Sequence, residues 1–168
     1  MADIKVNKEI ERKFLLRRLP PKNILNEGKT FFYSTIYIYS GDPELRLREK
    51  LDKQSAAVYT MTIKFGEGLV RDEFIVPITE SLFKRFFLSM DGGALITKIR
   101  YELKVGDLVW EIDDFTDWQG DLFIAEVELR DSRQAVVFPE WLDVEKEITT
   151  DPRYFNKNLA LTGIPVPR

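Results

Sequence analysis

The chain has 168 residues, of which 44% are apolar and 32% charged, and its formal net charge is −3. This composition predicts a soluble globular protein with a single domain over residues 1–168, and it excludes a disordered chain or a strongly basic nucleic-acid binder. No apolar run is long enough to cross a bilayer and the N-terminus lacks a secretory signal, so we expect a cytoplasmic protein without a membrane partner.

Histidine and cysteine are both absent from the sequence. Their absence excludes Ser-His-Asp and Cys-His nucleophilic sites, zinc sites built on imidazole or thiolate, and acid–base catalysis by imidazole. A metal site in this chain must therefore use oxygen ligands, which are the ligands that Mg²⁺ and Mn²⁺ prefer.

Strands account for most of the predicted elements. The first carries Glu9, Glu11 and Lys13 at alternate positions, which puts these charged side chains on one face and apolar side chains on the other. Taken alone, this stretch is also compatible with an ordinary strand whose polar face meets water. Further strands are predicted at residues 31–39, 45–51, 58–65, 71–76, 96–105, 109–115 and 123–129, and a short strand at residues 141–148.

Helices are few in the predicted structure. A short helix or loop is expected over residues 21–27. A second helix follows Thr79, a good N-cap, and is stopped by residues 91–93. A last helix is capped by Asp151 and ends at Gly163. About eight closely spaced strands with so few helices predict a mainly β (α+β) fold with an antiparallel sheet.

Pairs of like charge recur at alternate positions on five predicted strands. The pairs are Glu9/Glu11, Arg46/Arg48, Lys98/Arg100, Glu111/Asp113 and Glu126/Glu128, and Lys13, Lys64, Arg71 and Glu73 fit the same faces. A sheet face in contact with water has no reason to segregate acids from bases strand by strand, because like charges side by side are mildly unfavourable. The segregation favours a shared interior, and we predict a closed eight-stranded antiparallel β-barrel with a few outer helices.

Such an interior needs a ligand that satisfies charges of both signs. Unpaired buried charges cost several kcal/mol each. Arginine and lysine suit phosphate oxygens, whereas clustered carboxylates suit a divalent cation. A polyphosphate bound to a metal ion meets both requirements.

The order of these motifs resembles the CYTH superfamily, the triphosphate tunnel metalloenzymes, over nearly the whole chain. Glu9-Ile10-Glu11-Arg12-Lys13 resembles the ExExK signature of the family, and the later motifs follow in the family's order. They are Leu45-Arg46-Leu47-Arg48, Thr62-Ile63-Lys64, Arg71-Asp72-Glu73, Thr97-Lys98-Ile99-Arg100, the acidic strands 110–115 and 125–128, and the closing helix at 151–160. The chain departs from the family at Thr35-Ile36-Tyr37-Ile38, where members often have a Gln-Gly-Tyr-Leu-like stretch.

The resemblance implies a tunnel that binds a triphosphate with Mg²⁺ or Mn²⁺. The implied metal ligands are Glu9, Glu11, Asp113, Glu126 and Glu128. The implied ligands of the phosphate oxygens are Lys13, Arg46, Arg48, Lys64, Arg71, Lys98 and Arg100. Lys13, Glu11 and Glu128 are the expected catalytic residues, and Glu73 and Glu111 are expected to orient basic neighbours.

The predicted activity is metal-dependent hydrolysis of inorganic triphosphate or of an organic triphosphate, such as a nucleoside or thiamine triphosphate. Two alternatives stay open at this point, because the family includes class IV adenylyl cyclases and because a non-catalytic polyphosphate-binding module would need the same charges. The expected partner is a small molecule that contains a triphosphate, and a homodimer is compatible with the sequence. Whether metal, a carboxylate or Lys13 activates the attacking water is also open.

Overall fold

The computed structural model describes residues 5–66, 70–89, 94–115 and 121–165, and for residues 5–9 and 70–71 it describes the backbone alone. The strands are β1 (Lys5–Leu16), β2 (Lys29–Tyr39), β3 (Glu44–Asp52), β4 (Ala57–Phe65), β5 (Val70–Pro77), β6 (Leu95–Val105), β7 (Leu108–Asp114), β8 (Phe123–Glu128) and β9 (Val144–Glu147). The helices are α1 (Lys22–Leu25), α2 (Glu80–Ser89) and α3 (Asn156–Thr162), and a 3-10 turn forms at Pro152–Tyr154. The fold is therefore mainly β with few helices, as the sequence predicts.

The strands form one antiparallel sheet in the order β5-β4-β3-β2-β6-β7-β8-β1-β9, with an additional pairing between β5 and β1. The long strand β1 has different partners along its length. Its residues 5–10 lie opposite β5, and its residues 11–16 lie opposite β8. The short strand β9 is added to the end of β1, from Phe14 to Leu16. As a result, β1 pairs with both strands that end the run β5-β4-β3-β2-β6-β7-β8.

Local sequence explains where the elements begin and end. The Thr79 hydroxyl accepts a hydrogen bond of 3.2 Å from the Leu82 N–H, which confirms Thr79 as the N-cap of α2. The residues predicted to stop this helix, 91–93, lie outside the described residues. The β6–β7 hairpin turns at Gly106, whose φ of 60° is the left-handed conformation that glycine adopts easily.

The last predicted helix is wrong in one respect, because the structure divides it in two. The Asp151 side chain caps the 3-10 turn through the Arg153 N–H, as expected of a capping aspartate. Phe155 then has extended backbone angles, φ −70° and ψ 131°, which separate the turn from α3. Gly163, with a φ of 82°, ends α3 at the predicted position.

Apolar side chains pack on the face of the sheet opposite to the charges and at one end of the charged face. An outer apolar cluster includes Phe14, Trp110 and Val127. An inner apolar cluster is formed by Tyr37, Ala94, Ile96, Phe115, Leu122, Ile124, Ile148, Tyr154 and Leu159, with Leu15 packed against it. In the inner cluster, residues of the 3-10 turn and of α3 pack against apolar strand residues that lie on the same face of the sheet as the charged side chains. None of the described helices is long and apolar enough to cross a membrane.

Candidate functional site

The charged face of the sheet lines a cavity of about 400 Å³. All eight strands from β1 to β8 contribute to its lining, together with residues between 149 and 158. The charged side chains in the lining are Glu11, Lys13, Glu44, Arg46, Arg48, Lys50, Lys64, Glu73, Arg100, Glu102, Glu111, Glu126, Glu128 and Lys157. The charged side chains that the sequence places at alternate strand positions therefore line one shared cavity.

Strand parity and register decide which carboxylates meet on the β1–β8 wall. Ala125 and Val127 are buried in the outer apolar cluster, so Glu126 and Glu128 point to the cavity. The register places Glu11 directly opposite Glu128 and Lys13 directly opposite Glu126. Side chains in such positions have Cβ atoms about 5 Å apart, which brings three carboxylates and one ammonium together.

Lys13 and Glu126 form the centre of this wall. The Lys13 Nζ lies 2.6 Å from Glu126 Oε1 and 3.1 Å from Glu11 Oε1. The other oxygen of Glu126 accepts a hydrogen bond from Arg100. Burial alone would raise the pKa of Glu126, but Lys13 and Arg100 outweigh it and hold this pKa well below its ordinary value. Glu126 is therefore an anion at neutral pH.

Arg100 is the most heavily paired cation of the site. Its Nε and Nη2 each lie 2.6 Å from an oxygen of Asp113, which is a bidentate contact, and Nη1 donates to Glu111. Asp113 is fully buried and also accepts a hydrogen bond from Lys98. Burial and the neighbouring Arg100 lower the pKa of Lys98 to about 8, although Asp113 acts in the opposite direction. Neither Lys98 nor Asp113 is among the described residues that line the cavity.

Arg46 and Lys64 share a carboxylate on the other side of the cavity. Glu73 Oε1 lies 3.1 Å from Arg46 Nη2 and 3.2 Å from Lys64 Nζ, and all three residues are buried. Burial raises the pKa of Glu73, but Lys64 and Arg46 lower it by more, so the net shift is downward. The expectation that Glu73 orients basic neighbours agrees with these contacts.

Arg48 differs from the other cations of the cavity. Within the described part of the chain it forms no ion pair, and its buried Nε has no hydrogen-bond partner. Its guanidinium carbon lies 5.1 Å from the centre of the Tyr33 ring. Burial and the like charges of Arg46 and Arg100 lower the pKa of Arg48. The site thus offers N–H donors that no anion in the described part of the chain occupies.

The structure brings most of the predicted site residues to the cavity. Those that line it are Glu11, Lys13, Arg46, Arg48, Lys64, Arg100, Glu126 and Glu128. The side chains of Glu9 and Arg71 lie outside the described residues, although their backbones are opposite each other in the β1–β5 pairing. Asp113, predicted as a metal ligand, has its two oxygens held by Lys98 and Arg100.

Some residues that line the cavity are not in the predicted set, among them Tyr33, Lys50 and Glu102. Lys50 continues the parity of Arg48 and Glu102 that of Arg100, so strand alternation was sufficient to find both. Lys157 of α3 also lines the cavity, 3.9 Å from Glu44. No strand pattern could place Lys157, because α3 reaches the cavity only through the packing of the inner apolar cluster.

The carboxylates of the β1–β8 wall fit a hard divalent cation by their donor chemistry. In the ranges that the structure describes, no three acidic side chains already form a metal-binding group. Glu11 and Glu128 are nevertheless directly opposite each other, and like charges in such positions destabilise a sheet unless a cation lies between them. Oxygen donors of this kind suit Mg²⁺ and Mn²⁺.

The chain is similar to known proteins over most of its length. Residues 7–163 match the sequence model of the CYTH domain. An inorganic triphosphatase from Acetivibrio thermocellus is 30% identical over 156 residues, which cover 92% of this chain and 94% of that protein. An inorganic triphosphatase from Nitrosomonas europaea is 34% identical over 161 residues, covering 92% and 97%. A crystal structure of an inorganic triphosphatase is similar with a TM-score of 0.64 and 31% identity, over 94% of this chain and 97% of that one.

Proposed function

This chain belongs to the CYTH domain family, and from that premise we propose that it is a metal-dependent triphosphatase that hydrolyses inorganic triphosphate in the charged cavity. The observation that carries the proposal is the meeting of two features in one cavity. One is a wall of carboxylates on β1 and β8, and the other is a set of cations that includes Arg48, whose N–H donors have no partner among the described anions. The names of the two relatives with 30% and 34% identity support inorganic triphosphate as the substrate.

We propose that the eight strands β1 to β8 close into a tunnel within one domain. Support comes from the two pairings of β1, which is opposite β5 in its first half and opposite β8 in its second half. A sheet whose two ends pair with the same strand has no free edge between them. The charged side chains would then face each other across the tunnel.

The cations of the cavity would bind the phosphate oxygens of the substrate. Arg46, Arg48 and Arg100 present planar N–H groups that suit phosphate, and Lys13 and Lys64 add ammonium groups. In the proposed site Lys98 does not bind the substrate directly. It pairs with Asp113, which also holds Arg100, and so acts on the substrate through these two residues. Arg71 is assigned to the same set only because the segment Arg71-Asp72-Glu73 resembles a motif of the family.

The carboxylates Glu11, Glu126 and Glu128 would hold Mg²⁺ or Mn²⁺. Glu9 is added to these ligands because it is the first glutamate of the ExExK-like segment. A divalent cation in this place supplies charge neutralisation of phosphate oxygens and a lower pKa for bound water. We propose Asp113 as a positioning residue for Arg100, because both of its oxygens accept hydrogen bonds from cations.

In the proposed reaction, the oxygen of water attacks the terminal phosphorus, the terminal P–O–P bond breaks, and pyrophosphate leaves. Lys13 and the arginines would stabilise the charge that develops on the phosphoryl oxygens. Lys13 is held between Glu11 and Glu126, which suits an ammonium that positions an anion. The proton of the attacking water would pass to a carboxylate, and Glu128 is the most exposed of the three.

The proposal is tested by phosphate release from inorganic triphosphate, ATP and thiamine triphosphate, each with Mg²⁺, with Mn²⁺ and with a chelator. We expect phosphate release from inorganic triphosphate with metal only, and loss of activity without loss of melting temperature in Glu11→Gln. Tight triphosphate binding without phosphate release would show a binding module instead. Cyclic AMP formed from ATP would show an adenylyl cyclase, and wild-type turnover by Glu11→Gln would contradict the metal assignment.

A further inference from the structure

Tyr33 lies in the wall of the cavity and is surrounded by cations from both neighbouring strands. Its direct cross-strand neighbours are Lys50 on β3 and Lys98 on β6. Arg48 and Arg100 occupy the diagonal positions. The four charged groups lie 5.1, 5.5, 5.6 and 5.9 Å from the centre of the ring. These distances are within the reach of a cation–π interaction, which extends to about 6 Å.

Arg48 depends on this ring more than the other three cations do. Lys50, Lys98 and Arg100 are each in a salt bridge with a carboxylate. Arg48 has no such partner in the described part of the chain, and the buried Nε lacks a hydrogen-bond acceptor. The face of Tyr33 is therefore the attractive contact that the structure shows for the Arg48 guanidinium.

An aromatic face and a carboxylate hold an arginine in different ways. A carboxylate occupies the N–H groups of the guanidinium, so these groups must break a hydrogen bond before they can donate to a substrate. The face of an aromatic ring attracts the guanidinium through its π electrons and leaves the N–H donors available. A ring is thus suited to hold an arginine that must bind an incoming anion.

We propose that Tyr33 is a positioning residue that holds Arg48 through the face of its ring and keeps the N–H groups of Arg48 available for a phosphate group of the substrate. This inference rests on the proposed triphosphatase function. It assigns the recognition of substrate phosphate mainly to Arg48, because Arg46 and Arg100 each already pair with a carboxylate. The hydroxyl of Tyr33 has no part in the proposed interaction.

Phe31 provides a matched control on the same strand and the same face. Its ring lies 3.6 Å from the Nζ of Lys50, which also pairs with Glu102 at 3.3 Å. Replacement of this ring removes a cation–π contact from a cation that already has a carboxylate partner. Phe31→Leu should therefore change the KM for triphosphate by less than about twofold.

The test compares Tyr33→Phe, Tyr33→Leu and Phe31→Leu in steady-state hydrolysis of inorganic triphosphate with metal. Tyr33→Phe keeps the ring face and should have a wild-type KM. Tyr33→Leu should raise the KM about 3- to 30-fold, the range that corresponds to a desolvated cation–π contact, with a smaller change in kcat. In an Arg48→Gln background the same Tyr33→Leu change should alter KM by less than about twofold, because the two residues act together.

Melting temperatures and circular dichroism separate this role from a merely structural one, and Tyr33→Met replaces the leucine variant if that variant does not fold. An unchanged KM in the folded variant would overturn the inference, as would an equal rise in KM with and without Arg48. Loss of function in Tyr33→Phe would also overturn it, since the ring is kept there. If wild-type protein neither binds triphosphate in a calorimetric titration nor hydrolyses it, the proposed function fails and this inference fails with it.

Discussion

Replacement of Glu73 by glutamine should destabilise the protein by about 3 kcal/mol at pH 7. Glu73 is the buried carboxylate that Arg46 and Lys64 share, at 3.1 and 3.2 Å. Removal of one partner from a buried ion pair costs about 3–5 kcal/mol. The lower value applies because both cations have a further interaction in the structure. For a chain of this length, about 3 kcal/mol corresponds to a fall of roughly 6–12 °C in melting temperature.

The same substitution should change how stability depends on pH. The two cations lower the pKa of Glu73 below its ordinary value even though burial alone would raise it. The carboxylate therefore contributes stability that is complete above its pKa in the unfolded chain, about 4.3, and that is lost as the pH falls through the lower folded value. The difference between wild type and Glu73→Gln should be largest at neutral pH and shrink as the pH falls below about 5.

Urea unfolding followed by circular dichroism at several pH values between 3 and 7 measures both effects. Glu102→Gln is the matched control, because Glu102 pairs with Lys50 at 3.3 Å with side chains that are 22% and 32% exposed. Pairs with this exposure contribute about 1 kcal/mol or less. The reasoning is refuted if Glu73→Gln costs no more than Glu102→Gln at pH 7, or if its cost is the same at every pH.

Two further predictions concern Lys98 and the carboxylates. The pKa of Lys98 is lowered to about 8 from an ordinary value of about 10.4. Between these values the unfolded chain binds more protons than the folded one, so the stability of wild type relative to Lys98→Met should rise from pH 8 to pH 10 in thermal unfolding. A stability difference that stays constant over this pH range would contradict the prediction. Asp113→Asn should lower the stability of the protein by roughly 3 kcal/mol. The Mn²⁺ concentration that gives half-maximal hydrolysis should stay within about twofold of the wild-type value in this variant, whereas Glu128→Gln should raise that concentration about tenfold or more. A large rise in the Mn²⁺ requirement of Asp113→Asn would restore Asp113 as a metal ligand.

Strand alternation was sufficient to predict which face of each strand carries the charged side chains. The parity of Glu126 and Glu128 against Ala125 and Val127 shows this, because the apolar residues pack outward. The mainly β fold follows from the same alternation and from the short connections. Those two features depend only on residues near each other in the sequence, which is why a single sequence reveals them.

Register decides which charges pair, and only part of it can be predicted. The Gly106-Asp107 turn sets Val105 opposite Leu108, and counting back along both strands places Arg100 opposite Asp113. The sequence therefore contained the signal that Asp113 meets a cation. The pairing of β1 with β8 joins strands more than 100 residues apart, and no local turn fixes it. The Tyr33–Arg48 contact likewise depends on three-dimensional placement of a long side chain.

Under the proposed function, the two signs of charge in the cavity would make the binding of metal and the binding of substrate depend on each other. A polyanion alone must displace carboxylates such as Glu126 from Lys13 and Arg100, which leaves buried carboxylates without a partner. A divalent cation alone would have to displace the ammonium of Lys13 from Glu11 and Glu126. When both enter together, each released protein group finds a partner of opposite sign, so the binding of one lowers the cost of binding the other, and the coupling is reciprocal. Arg48 is the natural first contact, because its binding to phosphate breaks no described ion pair.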